Sequence, residues 1–547
     1  MNNPKYLLAL TALLTVGTLA GCAAVASTET QTAVTAATVT DSTATIADVL
    51  AANQDYRADA ATATKGDVTE IDLDDATGTV TIDAAGTYVL SGSLDGEVVV
   101  EAGEQDEVYL VLDDATISSS TTAALAVMTA GTVVIELSGD SSLSDASTYA
   151  EDAEVTAALY SAVDTTITGD GSLTVTGNGA DGVSARDGLV IESGDLTVTA
   201  ADDGVVGKDY LVVTGGILDI SAGGDGLKAS NDTDADRGYV LVTDGTIAVT
   251  AGGDGVQAET DLLISGGELT VNATEKGIKA GAFLVVEGGS SEITATDDGV
   301  HSNGVVHLSD GSLTIASGDD GVHADGAILL DGATVDVTDA VEGVESSVIE
   351  IAGGEVNVVA SDDGLNASDG SEAMAAVEGV SLTISGGGVT VDAEGDGLDS
   401  NGSMSITGGT VTVAGPTNSG NGALDVNGAF SISGGTLVAL GSSGMAVSPG
   451  ADSAQSFVAT TGASGSAGDT VEIVASDGSV VASVEATKQF GSVVYSSAAI
   501  VAGETYTVTV NGTATTVTAG EALAGGMGGG GPQGWGGQPG GTPGERP

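Results

Sequence analysis

The chain has 547 residues, 85 of them Gly, and its aromatic content of 3% is too low for a globular core built on large rings. Its 78 acidic and 11 basic residues give a formal net charge of −67, which excludes nucleic acid as a partner, because phosphate binding needs a basic surface. Hydrophobic residues still make up 41%, so an acidic disordered chain is excluded too.

The first element is an apolar run from Tyr6, preceded by Lys5 and closing on Leu19-Ala20-Gly21-Cys22. A short apolar stretch ending in small residues is a secretory signal. Its last four residues resemble the bacterial lipobox, in which the Cys is lipidated on sulfur and becomes the new N-terminus. The alternative is an ordinary signal peptide with an incidental Cys. The run is too short for a comfortable transmembrane helix. The expected location is extracytoplasmic, lipid-anchored to the bacterial cell membrane through Cys22, with residues 1–22 as the signal segment. Cys22 is the only cysteine, which excludes intramolecular disulfides and Cys-rich zinc sites.

Residues 23–65 are rich in Ala, Thr and Ser and read as a tether, with a short helix over Ala44–Arg57. Alternating patterns then begin, as in Thr79-Val80-Thr81-Ile82 and Val108-Tyr109-Leu110-Val111-Leu112, so residues 66–150 are predicted to be a β-rich region that leads into the repeats and caps them.

The repeats dominate residues 151–450. A Gly that follows an acidic residue and precedes an apolar one recurs at Gly182, Gly204, Gly226, Gly255, Gly277, Gly299, Gly321, Gly343, Gly364 and Gly397, with Lys276 replacing the acid once. Most intervals are 22 residues, and the two long ones carry inserts at Asn231–Arg237 and Asp369–Gly379. A second turn follows within each unit, at Gly215-Gly216, Gly266-Gly267, Gly288-Gly289, Gly353-Gly354 and Gly408-Gly409, and alternating strands such as Leu269-Thr270-Val271 come after it. Short strands of period two cannot bury their apolar faces alone, but stacked copies can. The pattern predicts an all-β, right-handed parallel β-helix of about 22 residues per turn, with three short strands per turn and rungs about 4.8 Å apart. The corner Gly is expected to supply positive φ, and the apolar residue after it (Val205, Leu227, Val256, Val300, Leu365) to point inward. Residues 451–520 form a further β segment, with Val471-Glu472-Ile473-Val474 and Tyr506-Thr507-Val508-Thr509-Val510. Residues 521–547, which include Trp535, are a flexible Gly- and Pro-rich tail.

Stacking creates columns. The residue before each corner Gly runs Asp181, Asp203, Asp225, Asp254, Lys276, Asp298, Asp320, Glu342, Asp363, Asp396, often with a second acid ahead of it at Asp202, Asp297, Asp319 and Asp362. Unit charges about 4.8 Å apart repel by roughly 0.9 kcal/mol even at the dielectric of water. Two carboxylates per rung supply the oxygen ligands Ca²⁺ takes; the alternative is ordinary Asp-Gly turn chemistry with solvated carboxylates. Asp232 and Asp234 in the first insert are a separate metal candidate, although Gly238 sits one place late for an EF-hand loop. A second column, expected to face outward, runs Ser184, Val206, Lys228, Gln257, Lys279, His301, His323, Glu345, Asn366, Asp399. Lys228, Lys276, Lys279, His301, His323 and Asn366 are the candidate carbohydrate contacts. Simple neutralisation of the Asp column is the competing role for the lysines. A zinc site from His301 and His323 alone lacks a third ligand.

The Asp-Asp-Gly-Val corners at 202–205, 297–300 and 319–322 carry a family resemblance, together with the turn Ile264-Ser265-Gly266-Gly267-Glu268-Leu269-Thr270-Val271 and the insert Ser230-Asn231-Asp232-Thr233-Asp234 ahead of Gly238-Tyr239-Val240. The segment Gly86-Thr87-Tyr88-Val89-Leu90-Ser91-Gly92 and the Gly-rich tail add to it. Over roughly 45–530 the chain resembles the bacterial carbohydrate-binding family of parallel β-helix proteins of clostridial plant-cell-wall degraders. That resemblance implies non-catalytic binding of pectic, polygalacturonate-like polysaccharide, with Ca²⁺ as cofactor. Two other readings compete. One is a polysaccharide lyase of the pectate-lyase type, with Lys228, Lys276 or Lys279 as base, although no Arg-centred lyase motif is present. The other is a structural or adhesive surface protein without sugar specificity. A monomer is expected.

Overall fold

The computed structural model describes residues 42–56, 68–150, 152–371 and 375–523. The signal segment with Cys22, most of the tether and the tail with Trp535 lie outside the described residues.

The apolar alternation resolves into three parallel sheets wound as a β-solenoid of about 17 turns and about 22 residues per turn. Each turn contributes one strand to each sheet. The corner sheet holds Val205–Gly207, Leu227–Ala229, Val256–Ala258 and their equivalents. The second sheet holds Tyr210–Val213, Tyr239–Val242 and Asp261–Ile264. The third holds Ile217–Ala222, Thr246–Ala251 and Glu268–Ala273, which alternate buried and exposed residues. Register is strict: Val205 lies on Leu227, Leu227 on Val256, Val256 on Ile278, Ile278 on Val300 and Val300 on Val322. These residues point into the coil and are almost wholly buried, as the sequence pattern predicts. Each such aliphatic side chain contributes roughly 1.5–3 kcal/mol of burial.

The corner glycines serve a different purpose from the one their sequence context suggests. None of Gly204, Gly226, Gly255, Gly277 or Gly299 has positive φ; that conformation belongs to the second turn, as at Gly267 (φ +86°) and Gly289 (φ +82°). The corner positions face a narrow inner angle. A Cβ on Gly255 would lie 2.2 Å from Val271 Cγ1 and 2.5 Å from the Gly277 carbonyl oxygen of the next rung. Close packing, not backbone conformation, demands Gly there.

The stack already begins at Val68–Asp72, which pairs in parallel with Gly86–Glu101. Residues of the lead-in region therefore extend the same three sheets. Their turns vary in length (Val98 stacks on Leu125, and Leu125 on Leu159), so no fixed period announces them.

Near the N-terminus the helix Ile46–Leu50 is started by a capping box between Thr45 and Asp48. Its Ile46 and Val49 cover the outer face of the second sheet at Tyr210, Tyr239, Leu263 and Val285. That cover explains why the second-sheet strands are buried on both faces. At the other end, Thr436–Gly441 pairs antiparallel with Ser492–Ser496, which pairs with Phe457–Thr460. A four-stranded antiparallel sheet (Thr470–Ala475, Val480–Glu485, Thr505–Val510, Thr513–Thr518) packs Val471, Ile473, Tyr506 and Val508 with Val438 and Leu440 of the last coil strand. The open end of the solenoid is thereby covered.

Candidate functional site

The corner acids are first of all part of the stack. Asp203 Oδ1 accepts the backbone N–H of Asp225 at 2.8 Å, Asp225 Oδ1 that of Asp254 at 2.8 Å, and Asp254 Oδ1 that of Lys276 at 2.9 Å. The pattern continues from Asp298 to Asp320 N–H (3.2 Å) and from Asp363 to Asp396 N–H (2.6 Å). One oxygen of each carboxylate thus satisfies the main chain one turn ahead. The second oxygen, Oδ2, is left to face the outer corner, and the file divides into three stretches by what meets it.

In the first stretch lysines meet it. Lys228 Nζ lies 3.0 Å from Asp203 Oδ2 and 2.7 Å from Asp225 Oδ2. Lys279 Nζ lies 3.2 Å from Asp254 Oδ2. Lys276 Nζ lies 2.6 Å from Asp297 Oδ2 and 2.8 Å from Asp298 Oδ2. Burial works against charge on Lys228 and Lys276, but the adjacent carboxylates outweigh it and raise both pKa values. Burial likewise opposes charge on Asp298, yet hydrogen bonds from His301 and Lys276 hold it well below the usual carboxylate range. Asp202 is raised by burial and by Asp203. Asp297, Asp298 and Asp319 bring carboxylate oxygens within 4.8 Å of one another. Lys276 already compensates two of them.

In the second stretch histidines take over. His301 and His323 occupy matched register positions and their rings stack, with centroids 5.1 Å apart and planes at 7°. His301 Nδ1 is 2.8 Å from Asp298 Oδ2, and its Nε2 is 2.9 Å from Asn303 Oδ1. His323 Nδ1 is 2.8 Å from Asp320 Oδ2, and its Nε2 is 3.4 Å from Asp325 Oδ1. Burial disfavours the His323 cation, but the hydrogen bonds to Asp320 and Asp325 prevail and push its pKa up to about 10.

The third stretch has carboxylates without lysine. Among the described residues no basic side chain forms an ion pair with Asp363, Asp396, Asp399 or Asp425. Burial, then the facing carboxylates, push Asp399 up to about 8. Burial is also the main cause that raises Asp363, Asp396 and Glu342, each to about 7. Asp399 lies directly on Asp425 in register. Between Glu345 and Asp399 in the same file stands Asn366, only 7% exposed. Its Nδ2 donates to Glu342 Oε2 at 3.0 Å, and its Oδ1 is buried without a hydrogen-bond partner. Carboxylates plus an unsatisfied amide oxygen are the donor set of a hard cation. Asp399 is the register neighbour of Asn366 in this stretch, so a carboxylate and the buried amide oxygen share one face of the file. In the lysine stretch the outer oxygens are paired with lysines instead.

Structure and sequence agree on the alignment of the two columns, and Lys228, Lys276 and Lys279 form ion pairs with the Asp column. Asp232 and Asp234 do not join the file. They sit on the insert between Leu227–Ala229 and Tyr239–Val242, where Asn231 Oδ1 accepts the N–H groups of Thr233 and Asp234, each at 3.0 Å. Asp425 was missed because its corner reads Asn421-Gly422-Ala423-Leu424 and lacks the acid-Gly signal. Only its register with Asp399 reveals it.

Residues 76–321 match a family model described as carbohydrate-binding domain-containing protein. The match takes in the lysine corners and His301, and ends two residues before His323 and ahead of the lysine-free stretch. A carbohydrate-binding domain-containing protein of Acetivibrio thermocellus is 37% identical over 128 residues, which are 22% of this chain and 45% of that protein. This chain therefore spans under half the length of that relative. A solved structure of a polysaccharide lyase-like protein from C. thermocellum, a gadolinium derivative, aligns with TM-score 0.35 and 26% identity over 49% of this chain and 96% of that one. Over residues 76–321 the solenoid is thus similar to carbohydrate-binding domain-containing proteins.

Proposed function

We propose that the protein is a non-catalytic, cell-surface binder of acidic, pectin-like polysaccharide, which it holds along the corner file with Ca²⁺ as the bridge. The observation that carries this reading is the lysine-free stretch. Half-buried carboxylates are stacked there rung on rung beside the orphaned Asn366 Oδ1, an arrangement that a divalent cation completes. The carbohydrate class is supported by the family match over residues 76–321. Aromatics make up only 3% of the chain, so sugar stacking is a minor contact and ionic recognition the major one. Lys228 and Lys279 keep 23% and 22% of their side chains exposed beside their Asp partners, and they offer cations to uronate carboxylates on the same face. In this reading a lipid on Cys22 tethers the protein outside the cell.

Catalysis as a lyase with Lys228 or Lys276 as the base is disfavoured on chemical grounds. A general base must be deprotonated at working pH, and the carboxylates around Lys228 and Lys276 hold both charged.

The test is retention of the full chain on immobilised polygalacturonate, cellulose and xylan, with Ca²⁺ and with chelator. Retention on polygalacturonate alone, lost on chelation and weakened about tenfold or more by Asp363→Asn with Asp399→Asn, is expected. No retention at any Ca²⁺ level defeats the proposal, and retention that survives chelation removes the metal from it.

A further inference from the structure

The middle of the file holds a different kind of donor group. Asp320 stands in the turn before the corner strand, His323 on the strand, and Glu345 beside His323 in the next rung. One carboxylate oxygen of Asp320, one of Glu345 and a ring nitrogen of His323 all lie within 4.8 Å of one another. His323 Nδ1 is 2.8 Å from Asp320 Oδ2 and 3.7 Å from Glu345 Oε2. Ligand atoms around a tetrahedral ion with bonds of about 2.0–2.1 Å stand about 3.3 Å apart, a value these two separations bracket. We propose that Asp320, His323 and Glu345 form a site for one divalent transition ion of the zinc class, distinct from the Ca²⁺ proposed for the lysine-free stretch.

The imidazole decides the class of ion. Ca²⁺ and Mg²⁺ take oxygen ligands, whereas imidazole with carboxylates suits zinc, cobalt or nickel. The ring is already oriented for the task. Its far nitrogen, Nε2, faces Asp325 Oδ1 at 3.4 Å, and metal-bound imidazoles usually carry that second N–H to a carboxylate. The stacked His301, itself held by Asp298 and Asn303, supports the ring face. The ion replaces the proton that Nδ1 shares with Asp320. Three protein ligands leave a fourth position, and the 23% and 21% side-chain exposure of His323 and Glu345 opens it to solvent. A water, a carboxylate or a sugar hydroxyl can occupy it. The site stands whether or not the polysaccharide reading does.

The test uses the full chain in millimolar Ca²⁺. Addition of Co²⁺ should give visible absorption that saturates at one ion per chain, and Zn²⁺ should abolish it. The chain has three histidines, so ring-nitrogen NMR resolves them, and Zn²⁺ should shift His323 Nδ1 far more than His307. His323→Asn and Glu345→Gln should abolish the cobalt signal. Asp325→Asn alters a 59% exposed side chain and should weaken binding by about 10–100-fold. Unmoved His323 resonances, wild-type cobalt affinity in all three variants, or displacement of Co²⁺ by equimolar Ca²⁺ would each overturn the proposal.

Discussion

A single Asp in this fold has two tasks, and its two oxygens divide them. Oδ1 secures the main chain of the next rung and Oδ2 meets the outside, so the same residue is structural and available. Where Lys228, Lys276 and Lys279 answer Oδ2 the charge is settled within the molecule. Where nothing basic answers it, stability becomes a function of pH. Asp363, Asp396 and Asp399 hold folded pKa values of about 7, about 7 and about 8, against about 3.9 for an unfolded Asp. The folded chain thus binds these protons more tightly. Their contribution to stability is fully present below about pH 4 and is lost as pH rises through 7 to 8. In chelator, the Tm is expected to fall between pH 5 and pH 8, and Ca²⁺ should restore it at pH 8. A Tm that climbs across that window in chelator contradicts the assignment. Asp298 works in the opposite sense, but its lowered pKa places the effect far below pH 5.

At the scale of the strand and turn, the corner glycines mark how far sequence reasoning reaches. The fixed 22-residue spacing made the parallel stack and the inward position of Val205, Leu227 and Leu365 legible. It could not say why Gly is required, because the clash that excludes Cβ comes from the third sheet and from the next rung. Gly255→Ala drives Cβ into Val271 and should cost about 1–3 kcal/mol. A urea midpoint lowered by that amount with an unchanged slope checks it. Wild-type stability would return the corner to a simple turn. The same limit applies to the site. The columns were readable from the period, but the Lys228 bridge across two rungs and the isolation of Asp232 and Asp234 depend on side-chain reach and loop placement. The lead-in rungs were unreadable as coil because their turns differ in length.

At the scale of the whole molecule, the two flanks of the solenoid are guarded. Helix Ile46–Leu50 covers an apolar outer face, and the C-terminal sheet covers the last rung. A bare solenoid end is a template for another chain. Val508, fully buried in the C-terminal sheet, is the place to test that cover. Val508→Asp should undock the sheet and produce concentration-dependent self-association, seen by light scattering. A variant that stays monodisperse at every concentration assigns the cover no protective role.

The side-chain ladder from Asp203 to Asp225 to Asp254 has a consequence for size. Each link refers only to its immediate neighbour, so no residue senses how many turns the molecule contains. Copying one complete unit in place would extend the outer edge by a single increment of about 4.8 Å, and every existing link would keep its partner. Outside the rungs that the helix Ile46–Leu50 covers, reach along a linear polymer can therefore change in whole steps, by gene duplication or by design, without redesign of the ladder.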